Sequence, residues 1–154
     1  MTRPATVRFY FDADILGLAK VITGLRPDVT YPGDPGGTVN KQFRPPCSIP
    51  RDTKDRIWLP LVTAHGWLVI SRDLRIRDNP NERRVVRETG ARMVALSGMD
   101  APNKWGQLEL LMSRWRKIEE LLDEPGPFIY LASRSGLRRL DLDESANRTP
   151  RHRR

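Results

Sequence analysis

The chain has 154 residues, of which 38% are hydrophobic and 30% are charged, and its 27 basic and 19 acidic residues give a net charge of +8. This length fits one domain with a sizeable core, and the sequence lacks the run of about 18 or more apolar residues that a membrane-spanning helix needs. Because Cys47 is the single cysteine and there are only two histidines, an intrachain disulfide and a Cys/His zinc site are excluded, and a reducing cytoplasm is the expected location.

The positive charge is concentrated partly at the C-terminus. Four arginines lie in residues 147–154, and the rest of the chain keeps 23 basic and 19 acidic residues, a net charge of +4. A basic body favours a polyanionic partner such as RNA, although a merely soluble surface explains the composition equally well. The basic segment 143–154 has no apolar periodicity and is predicted to be a disordered tail, which leaves residues 1–142 as a single domain.

The first third of the chain predicts two strands, a helix and a long loop. Residues 7–11 are aromatic and β-branched, which predicts a buried strand, and this run is too short for a signal-peptide core. Apolar residues at helical spacing over 15–25 predict a helix, and residues 28–31 predict a short second strand. Residues 32–54 are rich in Pro and Gly without any period, which is typical of a functional or mobile loop.

The middle of the chain predicts a helix and the best-defined strand. Asp52 is a candidate cap for a helix over residues 55–65, which carries Trp58 on its apolar side. Residues 67–71 then form a continuous apolar run typical of a buried strand.

The last part of the chain predicts two more helices, a strand and a hairpin. Asn79, Pro80 and Glu82 predict the start of a helix that ends at Gly90, and a strand follows at 92–96. A C-terminal hairpin is predicted around Ser135-Gly136. A long helix over 105–122 carries an apolar stripe that we assign to the core: Trp105, Leu108, Leu111, Met112, Trp115, Ile118 and Leu122.

Strands that alternate with helices predict an α/β domain with a mostly parallel sheet, in which chemistry gathers at the carboxyl ends of the strands. Asp12 and Asp14 follow the first strand, and Asp73 and Asp78 follow the central one. Asp55 opens the helix that leads into the central strand. These carboxylates are therefore predicted to converge at one edge of the sheet.

Carboxylates that converge repel each other, and a divalent cation removes that repulsion. Mg²⁺ and Mn²⁺ prefer oxygen ligands and activate water for attack on phosphate. Helix capping is the alternative: Asp12 and Asp14 would cap the first helix, and Asp52 or Asp55 the second. Capping explains each aspartate equally well when it is taken alone, whereas Asp12 and Asp73 at two strand ends favour a metal site.

Three segments resemble one known family. Phe9-Tyr-Phe-Asp12-Ala-Asp14, Asp55-Arg-Ile-Trp58-Leu-Pro60 and Gly66-Trp-Leu-Val-Ile-Ser-Arg-Asp73 are similar to segments of the PIN-like domains, in the branch of the VapC-type toxins. Residues 125–130 resemble its C-terminal segment, so that the resemblance covers residues 7–140. It implies a three-layer α/β/α fold, a Mg²⁺- or Mn²⁺-dependent endoribonuclease, and often a cognate antitoxin.

The same resemblance assigns roles to individual acids. Asp12, Asp55 and Asp73 match the catalytic and metal-binding acids of the first strand, the following helix and the central strand. Asp14 takes a polar position near the metal, and Asp78 is the candidate for a fourth acid. This chain departs from the ordinary pattern, in which the helical acid is glutamate on a longer helix; here residues 32–54 replace part of that region.

Arginines near the acids are candidates for binding RNA phosphates, because the planar guanidinium donates two parallel hydrogen bonds. Arg72, Arg75 and Arg77 lie in the acid-bearing segment and are the predicted substrate-binding set. The arginines of the following helix fit either phosphate contact or a solvated helix face: Arg83, Arg84 and Arg87.

Two other functions stay open at the level of sequence. A non-catalytic RNA- or protein-binding module would have the same fold without a complete metal site. A haloacid-dehalogenase-like phosphatase also begins with a strand and Asp-x-Asp, but its later lysine and paired acids are not found in order. For a toxin we expect either an antitoxin-bound complex or a homodimer, formed through residues 32–54 or the helix over 105–122.

Overall fold

The computed structural model describes residues 2–73 and 79–143, and for Asp73 it describes the backbone only. The helices are α1 (Leu16–Thr23), α2 (Asp55–Ala64), α3 (Pro80–Thr89) and α4 (Lys104–Glu120), with 3-10 turns at Ala13–Ile15 and Leu121–Asp123. The strands are β1 (Arg3–Pro4), β2 (Phe9–Phe11), β3 (Val29–Thr30), β4 (Gly37–Val39), β5 (Gln42–Arg44), β6 (Leu68–Asp73), β7 (Arg92–Ser97), β8 (Phe128–Ser133) and β9 (Gly136–Arg139).

The central sheet has the strand order β3-β2-β6-β7-β8-β9, in which neighbours from β3 to β8 are parallel and β9 is antiparallel to β8. The mostly parallel sheet and the C-terminal hairpin are therefore confirmed. The chain leaves β2 for β3 on one side and returns to β6 on the other, so that the order reverses between β2 and β6. Open α/β sheets bind their ligands at such a reversal.

Two apolar cores cover the two faces of this sheet. Phe9 and Phe11 pack with α1 and α4 on one face, whereas Tyr10 packs with Trp58 of α2 and Val86 of α3 on the other. The alternation follows from the two-residue period of a strand. These helix, sheet and helix layers confirm the three-layer α/β/α fold.

Local signals explain where the helices begin. The Asn79 side chain accepts a hydrogen bond from the Glu82 backbone at 3.2 Å, and Gly90 ends α3 with φ 77°, as predicted. The predicted cap of α2 is wrong: its N-cap is Lys54 and it makes no side-chain capping bond, so Asp52 has no such role. The helix itself begins at Asp55, as predicted.

The apolar stripe assigned to the last long helix is wrong at two positions. Trp105 is 77% exposed and Met112 is 68% exposed, whereas Leu111 and Ile118 are buried. α4 turns a narrower face toward the sheet than the stripe implies. Its outer apolar residues are left on the surface.

Residues 32–54 contain more structure than the aperiodic sequence predicts. β4 and β5 form a hairpin, and β5 also pairs with β1 to make a small second sheet. Asp34 and Arg44 form a buried bidentate ion pair below it, with Nε–Oδ2 at 2.6 Å and Nη2–Oδ1 at 2.9 Å. This pair fixes a segment that has no apolar period of its own.

Within the described part of the chain, no helix combines the length and the apolar character needed to cross a membrane. The tail predicted at 143–154 begins at Asp143 and otherwise lies outside the described residues. The division into a domain over 1–142 and a tail therefore stays a prediction.

Candidate metal centre

The carboxyl ends of β2 and β6 meet where the strand order reverses. Phe11 pairs with Ile70 in register, and the Asp12 backbone donates a hydrogen bond to the Ile70 carbonyl at 2.9 Å. The predicted adjacency of the two acid-bearing strands is present. Asp12 then starts the 3-10 turn that leads into α1.

Asp12 lies at the inner end of this edge. Its Oδ1 accepts a hydrogen bond from the Ala13 backbone at 2.6 Å, so that it also serves as a cap. The pKa of Asp12 is raised to about 7, first by burial and then by the charge of Asp14. The capping interpretation is thus correct for Asp12, but a cap alone does not explain a carboxylate held beside a second one.

Asp14 joins the end of β2 to the end of β6. Its Oδ2 accepts a hydrogen bond from the Arg72 backbone at 3.3 Å. Partial burial raises the pKa of Asp14 to about 6, and the Arg72 hydrogen bond opposes the rise. Asp14 is nevertheless more accessible to solvent than Asp12, so that water screens its charge more.

Asp55 is the first residue of α2 and reaches the same area from the opposite helical layer. Its Oδ1 accepts a hydrogen bond from the Trp58 indole nitrogen at 3.0 Å, and the residue is exposed. The charge of Asp55 contributes to the raised pKa values of both Asp12 and Asp14. It therefore lies within electrostatic range of the pair.

Glu82 is a further acid near the site, although its place in the sequence indicates only the start of α3. Its charge also raises the pKa of Asp12. Its position in the capping motif of α3 accounts for it locally, because its Oε2 accepts a hydrogen bond from Asn79. Only the packing of α3 against the sheet brings it toward β2, and no local signal predicts that.

The remaining predicted site residues are placed only in part. Asp73 is the last residue of β6 and pairs with Ser97 of β7, and nothing of its side chain is described. Asp78, Arg75 and Arg77 lie outside the described residues. Arg72 donates from Nη2 to the Pro102 carbonyl at 3.2 Å, so that its guanidinium lies on the segment that opens α4.

The arginines of α3 differ among themselves. Arg83 is 4% exposed, and Arg87 donates from Nη1 to the Leu142 carbonyl. Both side chains therefore make contacts within the protein. Because Arg83 is buried, the interpretation of these arginines as a solvated helix face is wrong for Arg83. Arg84 is exposed.

Asp12 and Asp14 are the described side chains that could bind a divalent cation, because hard cations prefer carboxylate oxygens. Neither forms an ion pair with a described Lys or Arg, although the charge of Arg72 favours the ionised form of Asp14. Within residues 2–72 and 79–143, no three His, Cys, Asp or Glu side chains are grouped closely enough to hold a metal ion. The two acids fit a hard cation as part of a site whose other ligands would be waters, phosphate oxygens of a substrate or side chains outside that set.

Comparisons with known proteins agree with this topology. A family model described as a PIN-like domain matches residues 8–98, which are 91 of the 154 residues. A curated relative from Mycobacterium tuberculosis, named "Putative ribonuclease VapC45", is 31% identical over 80 residues, which are 52% of this chain and 57% of the relative. The chain thus matches little more than half the length of that relative. No solved structure matches it.

Proposed function

The chain belongs to the PIN-like domain family, and on that premise we propose that it is a metal-dependent endoribonuclease, the toxin of a type II toxin–antitoxin pair. The observation that carries the proposal is the pair Asp12 and Asp14, which lie at the reversal of strand order and form no ion pair with a described Lys or Arg. The similarity to a protein named as a ribonuclease supports RNA as the substrate.

Asp12, Asp14 and Asp73 are the residues that would hold Mg²⁺ or Mn²⁺, with Asp78 as a further candidate. The ion, when bound, would lower the pKa of a coordinated water and offset negative charge on the phosphate under attack. Carboxylate oxygens suit both ions. We assign the third carboxylate to Asp73, because it directly follows Arg72, whose backbone contacts Asp14.

Asp55 would orient the attacking water and accept its proton. The Trp58 indole holds one of its oxygens at 3.0 Å and leaves the carboxylate at the exposed mouth of the site. As the water oxygen bonds to phosphorus, the bond from phosphorus to the leaving ribose oxygen breaks, and that oxygen takes up a proton. Arg72, Arg75 and Arg77 would bind the flanking phosphates.

The experiment is cleavage of a mixed RNA pool by the purified chain with Mn²⁺ and with EDTA. We expect cleavage with Mn²⁺ only, and a loss of at least a hundredfold in rate for Asp12→Asn. Asp123→Asn is the matched control, because Asp123 is an exposed acid in the turn after α4. Equal rates for Asp12→Asn and the wild type would refute the proposed site.

A cognate antitoxin is the proposed protein partner, as the resemblance to VapC-type toxins implies. A groove of about 310 Å³ between α1 and α4 has Leu111 and Trp115 in its wall. Leu25 and Met112 are 64% and 68% exposed along it, and Arg116 at its rim makes no ion pair with any described residue. An apolar antitoxin segment with a carboxylate beside it fits this surface.

One observation favours the non-catalytic RNA-binding alternative: the described carboxylates alone do not form a group of three that could hold a metal. A binding module would show salt-sensitive affinity for RNA without turnover. The cleavage experiment separates the two functions. Membership of the PIN-like family leaves the phosphatase alternative without support.

A further inference from the structure

A second cleft lies beside the candidate metal centre, on the other flank of α1 from the α4 groove. It has a volume of about 230 Å³, and Leu16, Tyr31, Pro32 and Pro35 supply its less polar walls. Two cations line it, Lys20 from α1 and Arg51 from the segment before α2. Both residues are exposed.

These two cations have no acid to pair with among the described residues, unlike the four described arginines that form ion pairs. Arg8, Arg26, Arg44 and Arg139 all form ion pairs. Among the described residues, neither Lys20 nor Arg51 has an ion pair. Unpaired cations in a concave site raise the local concentration of a polyanion.

The wall that carries Arg51 is held by close contacts with the loop around Gly33. Gly33 has φ 77°, and a Cβ on it would lie 3.1 Å from the Arg51 Cγ, so that the absence of a side chain lets the arginine stem lie against the loop. The Gly33 backbone donates to the Ile49 carbonyl at 2.9 Å. The buried pair of Asp34 and Arg44 fixes the same loop from below.

The cleft also lies at the right place for RNA. Leu16 lines it only two residues after Asp14, and Lys20 follows one turn later on the same helix. At a rise of about 1.5 Å per residue, the α-helix advances roughly 6 Å from Leu16 to Lys20. The cleft therefore follows the helix that begins directly after the acid pair.

We propose that this cleft binds the nucleotide next to the scissile phosphate, with Lys20 and Arg51 on its phosphate and Leu16 and Tyr31 against its ribose and base. The inference rests on the proposed ribonuclease function and names its substrate-binding mode. It assigns a role to part of residues 32–54, the segment in which this chain departs from the ordinary family pattern.

The test compares the wild type with Lys20→Ala, Arg51→Ala and the double variant, with Lys117→Ala as the control for loss of one exposed charge at the far end of α4. Binding of a labelled 12-nucleotide RNA is measured in EDTA over a range of salt concentrations, and kcat and KM are measured with Mn²⁺. Because one phosphate is no longer neutralised, the double variant should reduce the slope of log affinity against log salt by about 0.7. We expect at least tenfold weaker binding and a higher KM, with kcat reduced less than the affinity. Lys20→Arg should retain binding.

The outcomes separate this proposal from the function on which it rests. If the wild type cleaves RNA and the double variant binds like Lys117→Ala, the cleft proposal is overturned while the ribonuclease stands. If the wild type binds RNA without cleaving it and the double variant loses that binding, the cleft is supported and the nuclease is not. A wild type that neither binds nor cleaves RNA overturns both.

Discussion

At the scale of single residues, the raised pKa of Asp12 sets how stability depends on pH and on metal. A carboxyl group with a pKa of about 7 in the folded state and about 3.9 in the unfolded state binds more protons when folded between those values. Without metal, its contribution to the free energy of unfolding therefore falls as the pH rises from about 4 to about 7.

We expect Asp12→Asn to remove this fall and to unfold at the same or a higher temperature than the wild type in EDTA. Mn²⁺ at millimolar concentration should raise the Tm of the wild type by mass action and leave that of Asp12→Asn unchanged. Thermal unfolding at pH 5 and pH 7.5, with and without Mn²⁺, measures both effects. A wild type that shows no shift with Mn²⁺ would contradict the metal site.

Asp28 gives a pH dependence of the opposite sign at a site remote from the acids. Burial favours its neutral form, but hydrogen bonds from Arg26 and Arg8 outweigh that effect and lower the pKa of Asp28 below its ordinary value. The stabilisation is complete above the unfolded value of about 3.9 and is lost as the pH falls through the lower folded value. Asp28→Asn should therefore flatten the loss of unfolding free energy between pH 5 and pH 2. Equal acid sensitivity of the variant and the wild type would argue against this role.

At the scale of elements, the hairpin of β4 and β5 depends on the buried pair of Asp34 and Arg44, whose side chains are 0% and 5% exposed. Arg44→Met should reduce the free energy of unfolding by about 3–5 kcal/mol, because the Asp34 charge is left buried without its partner. Glu124→Gln is the control: its ion pair with Arg139 is accessible to water, with side chains 30% and 53% exposed, and accessible pairs contribute about 0–1 kcal/mol. Urea unfolding of both variants makes the comparison. Equal losses would show that burial of the pair is not what holds the hairpin.

Elements with complete local signals were predictable, and elements held from a distance were not. α3 has its cap, its first proline and its terminal glycine in sequence order, so its bounds follow from nearby residues. β4 and β5 are three residues each and depend on an ion pair that joins residues ten apart. The same limit applies to the site: strand ends predict Asp12 beside β6, but Glu82 approaches only through the packing of α3.

At the scale of the whole molecule, the exposed apolar face of α1 and α4 predicts association. Leu25→Glu combined with Met112→Glu should abolish binding of a co-expressed antitoxin and leave Mn²⁺-dependent cleavage intact, because both residues are exposed on the helices outside the sheet. Sedimentation of the co-expressed pair measures the complex. If this face instead binds a second copy of the chain, sedimentation of the chain without the antitoxin would show a dimer. If the wild type sediments as a monomer even when it is co-expressed with the product of the neighbouring gene, the assignment of this face is contradicted.

The hydrogen bond from the Arg72 backbone to Asp14 joins residues that are 58 positions apart in the chain. During synthesis at about 5–20 residues per second, the two acids leave the ribosome roughly 3–12 s before the strand that completes their surroundings. Throughout that interval the growing polypeptide carries the acids without the site. For a toxin, this delay would leave time for a partner that binds early segments to engage the nascent chain before it is able to cut RNA.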